Sequence, residues 1–319
     1  MIARLSIVLS CLLVAGLFAG CSSGGSSGRD AALPVGADAS GGSGPDTPLS
    51  TGADAGGGFG NLCGDGGVSV PLCASAAGAA SVTDLSGTWV LETIGAQTVT
   101  APTYANPFHI KSIGVILIQV IQTGNDVTLA GNYCDRVEQD DPNDPAQVVI
   151  PDAWRLTPWP VQRSGSFAPD ESGQLTLTLP TLIEVVGARL ANPACDALPT
   201  DPNDPRLVDD DNDGLPGITI GLKGLISGTL QCVQRQATAL HGVVVAADRV
   251  EGGMVYESEQ SVVESEPADL KSLYELSTSS TDPTACSSSF VMVKVPDATD
   301  AGVVDCDWVR DNEVALLGM

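Results

Sequence analysis

Past residue 85, the apolar positions alternate with polar ones or run together in short blocks, and few repeat every three to four residues. Gln174-Leu175-Thr176-Leu177-Thr178-Leu179 alternates strictly, as a strand buried on one face should. Val115 to Ile121 is an unbroken run rich in β-branched residues, which predicts a strand covered on both faces. Thr123-Gly124-Asn125-Asp126 separates it from the run Val127 to Tyr133; Gly-Asn between two such runs predicts a hairpin. Ile218 to Leu222, Ile226 to Gln234, Ala239 to Ala246, Arg249 to Glu257 and Phe290 to Val295 read as further strands, with Ala247-Asp248 as a turn. The best helix is short, Pro267 to Leu276. Many strands of similar length joined by polar turns predict an all-β chain, an antiparallel β-barrel or sandwich.

The N-terminal 61 residues break this pattern. Arg4 precedes a 15-residue apolar run, Leu5 to Ala19, which ends Leu17-Phe18-Ala19-Gly20-Cys21. The run is short for a membrane span of about 20 residues and reads as a secretory signal, residues 1–20. Residues 21–61 are nearly all Gly, Ser, Ala, Asp and Pro. They lack the apolar groups needed to offset chain entropy, which predicts a disordered linker. Folded material is expected over 62–319 as a single β-rich domain.

Net charge is −25, from 14 basic and 39 acidic side chains. That balance offers no basic patch for phosphates and argues against nucleic acid as a partner. Nine cysteines are present; Cys11 lies in the signal and Cys21 at its end, leaving seven. The close pairs Cys63 with Cys73 and Cys286 with Cys306 are candidate disulfides. Cys134, Cys195 and Cys232 stay unassigned, and the odd number predicts one thiol outside the internal pairs.

Leu17 to Cys21 resembles the lipobox of bacterial lipoproteins. The resemblance implies cleavage before Cys21, acylation of that cysteine, and a membrane as partner through the lipid. Ser22 is compatible, by the sorting rule of Gram-negative lipoproteins, with delivery to the outer membrane, facing the periplasm or the cell surface. Leu85-Ser86-Gly87-Thr88-Trp89 resembles the G-x-W opening of the lipocalin and avidin group. The resemblance implies an up-and-down barrel with Trp89 as a plug at one end. The Thr123–Gly131 hairpin and the pair Leu240-His241-Gly242 and Val250-Glu251-Gly252 resemble the meander strands of bacterial lipocalin-like domains. An acidic, loop-rich insert at about 135–216 has no counterpart in that group.

Within the insert, Cys-Asp followed by Asp-Pro-Asn-Asp-Pro occurs twice, at 134–145 and 195–205. The second copy leads into Asp209-Asp210-Asp211-Asn212-Asp213-Gly214. This is the D-x-D-x-D-G front half of a calcium loop. Ca²⁺ takes six to eight hard oxygens, and alternate aspartates converge if the loop curls. Asp209, Asp211 and Asp213 and the carbonyl of Leu215 are the candidate ligands, with the side chain of Asp204 or Asp201 to complete the shell and Ca²⁺ as a structural cofactor. Position 12 of the loop is Ile220, not Glu, and a strand follows, so the loop is not an EF-hand.

No catalytic residue is assigned. The two histidines, His109 and His241, and the many acids leave an envelope hydrolase as one alternative. The main expectation is an anchored envelope lipoprotein displaying a Ca²⁺-stabilised β-domain in a structural or binding role. A lipocalin-like carrier of a small apolar ligand is the other alternative, and a protein partner is a further expectation.

Overall fold

The structure is a computed structural model. It describes residues 70–74, 84–100, 106–140, 146–224, 227–299 and 302–318, all within the unit Ala53–Met319. The signal, Cys21, the linker, Cys63 and the first Asp-Pro-Asn-Asp-Pro copy lie outside the described residues.

In chain order the elements are β1 (Gly87–Thr100), β2 (Phe108–Thr123), β3 (Asp126–Asp140), β4 (Ala146–Val149), α1 (Asp152–Arg155), β5 (Pro160–Pro169), β6 (Leu175–Val186) and β7 (Ile218–Gly224). Then follow β8 (Gly228–Ala246), β9 (Arg249–Glu266), α2 (Asp269–Glu275), β10 (Thr278–Thr281), β11 (Ser289–Lys294), β12 (Ala298–Thr299), β13 (Gly302–Val303) and α3 (Cys306–Leu317). The fold is antiparallel β. The predicted hairpin turns at Gly124-Asn125, and Val127 pairs with Gln122. The two runs read as separate strands at 226–234 and 239–246 join into one, β8.

Pairing passes round eight strands and returns to its start: β8, β6, β5, β3, β2, β1, β11, β9 and β8 again. The ring is not a closed barrel. β11 pairs with β9 only over Arg249–Gly253, and beyond Gly253 that edge of β9 has no ladder partner among the described strands. The expected insert is therefore only partly an insert. Its span holds β5 and β6, two strands of the ring, and the aspartate-rich loop 209–213 falls in the segment 187–217 between β6 and β7. The sequence pattern reads β6 as a strand but within the insert, and misses β5 because it carries Pro, Gly and Ser and lacks a long apolar run.

One end of the ring is filled. Trp89, Ile118, Leu129, Leu177, Leu240, Val250, Phe290 and Met292 are buried there in a single cluster. Trp89 is fully buried, and its indole Nε1 donates to the Leu85 carbonyl at 2.7 Å. Gly242 and Gly252 face each other across β8 and β9. A Cβ on Gly252 would lie 2.6 Å from the Phe290 ring, so these glycines let the phenyl ring lie against the sheet. Outside the ring, α3 covers Val90, Val115 and Cys134. Asp305 caps it by accepting from the Trp308 amide at 2.9 Å, and the left-handed Gly318 ends it.

The disulfides correct the expected pairing. Cys73 bonds Cys286, and Cys134 bonds Cys306; neither Cys63–Cys73 nor Cys286–Cys306 forms. Both observed bonds join residues far apart in sequence, which the spacing of neighbouring cysteines does not reveal. Cys195 is also disulfide-bonded. Among the described residues, Cys232 is the free, buried thiol.

Candidate functional site

The other end of the ring is hollow. A cavity of about 420 Å³ lies above the filled core, between β1, β2, β3, β5, β6, β8 and β9, with β4, β7 and α2 at its side. Apolar walls come from Leu91, Ile116, Val161, Leu182, Ile220 and Met254. Polar groups also face it, among them Tyr133, Arg136, Arg163, Glu184 and Tyr256.

Two breaks in the ladders place these groups. β3 bulges at Cys134, so that Val115 pairs with Asp135 and Ile116 with Tyr133. The extra residue puts Tyr133 and Arg136, three apart, on the inner face, while Cys134 turns outward to Cys306. The Arg136 guanidinium lies 4.3 Å from the Tyr133 ring centre and 4.2 Å from that of Trp154. Its Nη1 donates to the Trp154 and Thr157 carbonyls, and its Nη2 has no partner. The β6 ladder shifts between Leu179 and Leu182, where Pro180 has no N–H to give. Arg163 on β5 fills that gap, donating from Nη2 to the Pro180 and Thr238 carbonyls and from Nη1 to the Thr238 hydroxyl. Its Nε is buried without a partner.

Glu184 accepts from the Tyr133 hydroxyl at 3.3 Å. Desolvation pushes its carboxyl above the usual range, against the pull of both arginines. Burial lowers Arg136 and Arg163 to about 10, so both stay protonated at neutral pH. Burial also raises Tyr256 to about 12. Gly114 lies under Tyr133, where a Cβ would meet the ring at 2.7 Å. A side chain there would push Tyr133 into the cavity.

The aspartate loop lies apart, just before β7. Carboxylate oxygens of Asp209, Asp211 and Asp213 lie within 4.8 Å of one another. The loop is curled by its own backbone. The Gly214 amide donates to Asp209 Oδ2 at 2.9 Å, and the Leu215 amide to Asp213 Oδ1 at 2.8 Å. Asn212 and Gly214 take positive φ, 58° and 88°. Asp211 is only 3 % exposed. Its Oδ2 accepts from the Thr219 amide at 2.8 Å, but its buried Oδ1 has no partner. Desolvation first, and then Asp213 and Asp209, push its carboxyl up to about 6. Asp210 points the other way, paired with Arg189 at 2.7 Å. Asp204 does not join the group: Arg206 holds it at 2.7 Å and lowers it to about 2. Leu215 is exposed beside the loop.

The histidines do not assemble a catalytic site. His109 is exposed on β2, and its Nδ1 is 3.2 Å from Asp282 and 3.3 Å from the Thr98 hydroxyl. His241 lies on β8, and no serine hydroxyl bonds either ring among the described residues. Comparison of the chain with family models, with curated proteins and with solved structures finds no match to any of them.

The arginines, Glu184 and the two tyrosines are the residues that sequence reasoning passed over. The usable signal was phase. Arg163 alternates with Val161 and Phe167, and Glu184 with Leu182 and Val186, so both charges occupy the inward phase of their strands.

Proposed function

We propose that this chain is a membrane-anchored envelope protein that carries a small, largely apolar molecule inside its strand ring, with a Ca²⁺ loop stiffening one flank. The cavity is the observation that carries this reading. Protein interiors are close-packed, with few voids larger than a water molecule. A 420 Å³ hollow inside a sheet whose other end is packed solid is out of place in a purely structural domain. It falls in the 300–1,000 Å³ range of small-molecule sites. The balance thus moves from simple display toward carriage, one of the two alternatives drawn from the sequence.

Support for the metal is the convergence of three carboxylates, one of which, Asp211, has a buried Oδ1 without a partner. Hard, anionic oxygens suit Ca²⁺, which would offset their mutual repulsion. Support for the anchor is the Leu17–Cys21 sequence alone.

Carriage is tested with the neutral, polarity-sensitive dye N-phenyl-1-naphthylamine. The mature chain should give saturable, one-to-one, blue-shifted emission, and Leu182→Trp, which fills the cavity, should abolish it. Absence of saturable binding by the wild type would refute carriage. Metabolic labelling with radioactive palmitate tests the anchor: the wild type should incorporate label and Cys21→Ser should not.

A further inference from the structure

Arg136 and Arg163 are 9 % and 7 % exposed, and both face the cavity. Burying a charge is costly unless it is paired. Yet among the described residues neither guanidinium forms an ion pair. Arg136 has two carbonyls and two aromatic faces, and Arg163 has two carbonyls and a hydroxyl. Each keeps one buried N–H group without an acceptor, Arg136 Nη2 and Arg163 Nε. Three carboxylates line the same cavity: Glu184 is engaged by the Tyr133 hydroxyl, Glu138 by the Ser112 hydroxyl, and Glu259 by Arg235.

From this geometry we infer that the carried molecule has an anionic head group, a carboxylate or a phosphate ester, seated between Arg136 and Arg163 with its apolar body along Leu182 and Ile220.

The inference rests on the carrier reading and names the chemistry of its ligand. Protein encloses the two unpartnered atoms, but both residues line the cavity, and an anion against their guanidiniums would supply the counter-charge that neither has within ion-pair distance. Guanidinium N–H groups bind planar carboxylates and phosphates with charge-assisted bonds, roughly twice as strong as neutral ones. The fixed carbonyl and hydroxyl partners hold each guanidinium in place beforehand, so little side-chain entropy is lost on binding. Burial tends to lower both arginines only to about 10, so the positive charge is present whenever the ligand is ionised. Three glutamates oppose an anion: Glu138 and Glu259 are already engaged by Ser112 and Arg235, and desolvation favours the neutral form of Glu184.

The test is calorimetric titration of the mature chain at pH 7.5 with four probes sharing one alkyl chain: decanoate, decyl phosphate, 1-decanol and decyltrimethylammonium. At least one anion should bind about 10- to 100-fold more tightly than decanol, and the cation least. Whichever anion binds tighter identifies the head group. Arg163→Gln and Arg136→Gln should each cut the ratio of anion to decanol affinity. The wild-type comparison decides the matter even if a variant fails to fold. Equal binding of decanol and both anions overturns the head-group assignment while carriage stands. No binding of any probe overturns both.

Discussion

Replacing Asp211 by Asn should change the sign of its effect with calcium. Without metal, the wild-type loop holds three carboxylates within 4.8 Å, one of them only 3 % exposed with an oxygen that accepts nothing. Asn removes that charge, keeps an oxygen for the Thr219 amide, and can place its NH₂ between the neighbouring carboxylates. In EDTA the variant should therefore melt above the wild type. With metal the order should reverse. A wild-type site of the extracellular class, with Kd about 10⁻⁴ M, gains about 1.4 kcal/mol in 1 mM Ca²⁺. For a body of this size that is a rise in Tm of roughly 3–6 °C, and Asn should lose most of it. Differential scanning calorimetry of both proteins, in EDTA and in Ca²⁺, gives the four temperatures. If the two Ca²⁺-induced shifts are equal, Asp211 is not a ligand; if neither protein shifts, the loop is an acidic turn without a metal.

The remaining tests address the frame around the cavity. Trp89→Ala should cost about 3–5 kcal/mol in urea unfolding, and Trp89→Phe, which loses chiefly the bond to the Leu85 carbonyl, about 1 kcal/mol. Cys232 is buried and burial pushes its thiol up. A disulfide reagent at pH 8 should label it only after unfolding, and Cys232→Ser should remove that delayed signal. Glu92 is buried on the outer face of β1 with Oε1 unpartnered. Desolvation and Glu313 raise its carboxyl. A raised carboxyl penalises the fold only above its unfolded value, near 4.5, so the penalty is absent in acid and grows as pH rises toward the folded value. Glu92→Gln should therefore raise Tm at pH 8 and leave it unchanged at pH 4; an increase of equal size at both would reject ionisation as the cause.

How much of this was legible in the sequence depended on range. Local patterns carried well: alternation located β6, Gly124-Asn125 located the first hairpin, and Asp209 to Gly214 announced a curled acidic loop. Long-range facts did not. The cysteines nearest in sequence were not the ones that met, because β3, β11 and α3 converge only after the ring forms. The cavity was hidden for a related reason. A strand pattern tells which residues share a face, but whether that face meets packed side chains or a hollow depends on the strands opposite. Arg163 read as an ordinary polar residue in a Ser- and Gly-rich strand until the shift at Pro180 gave its guanidinium carbonyls to hold. The bulge at Cys134 had no signature, and without it Tyr133 and Arg136 would point to opposite faces.

The Cys73–Cys286 bond has a mechanical consequence for an anchored protein. Residues 70–74 lie against Gly253 of β9, where a Cβ would come 2.1 Å from the Pro71 carbonyl. The disulfide fastens them to the loop between β10 and β11. Were the chain held at Cys21 as proposed, tension from that side would meet the Cys73–Cys286 crosslink before β1 in chain order. The load would then fall on β10 and β11, which are laddered to β1 and, for β11, to β9, and not on the start of β1, whose Trp89 packs the closed end. With the bond intact, a pull on the proposed anchor would reach β1 across its ladders with β10 and β11; reduction of that one bond would let the pull act directly on the start of β1.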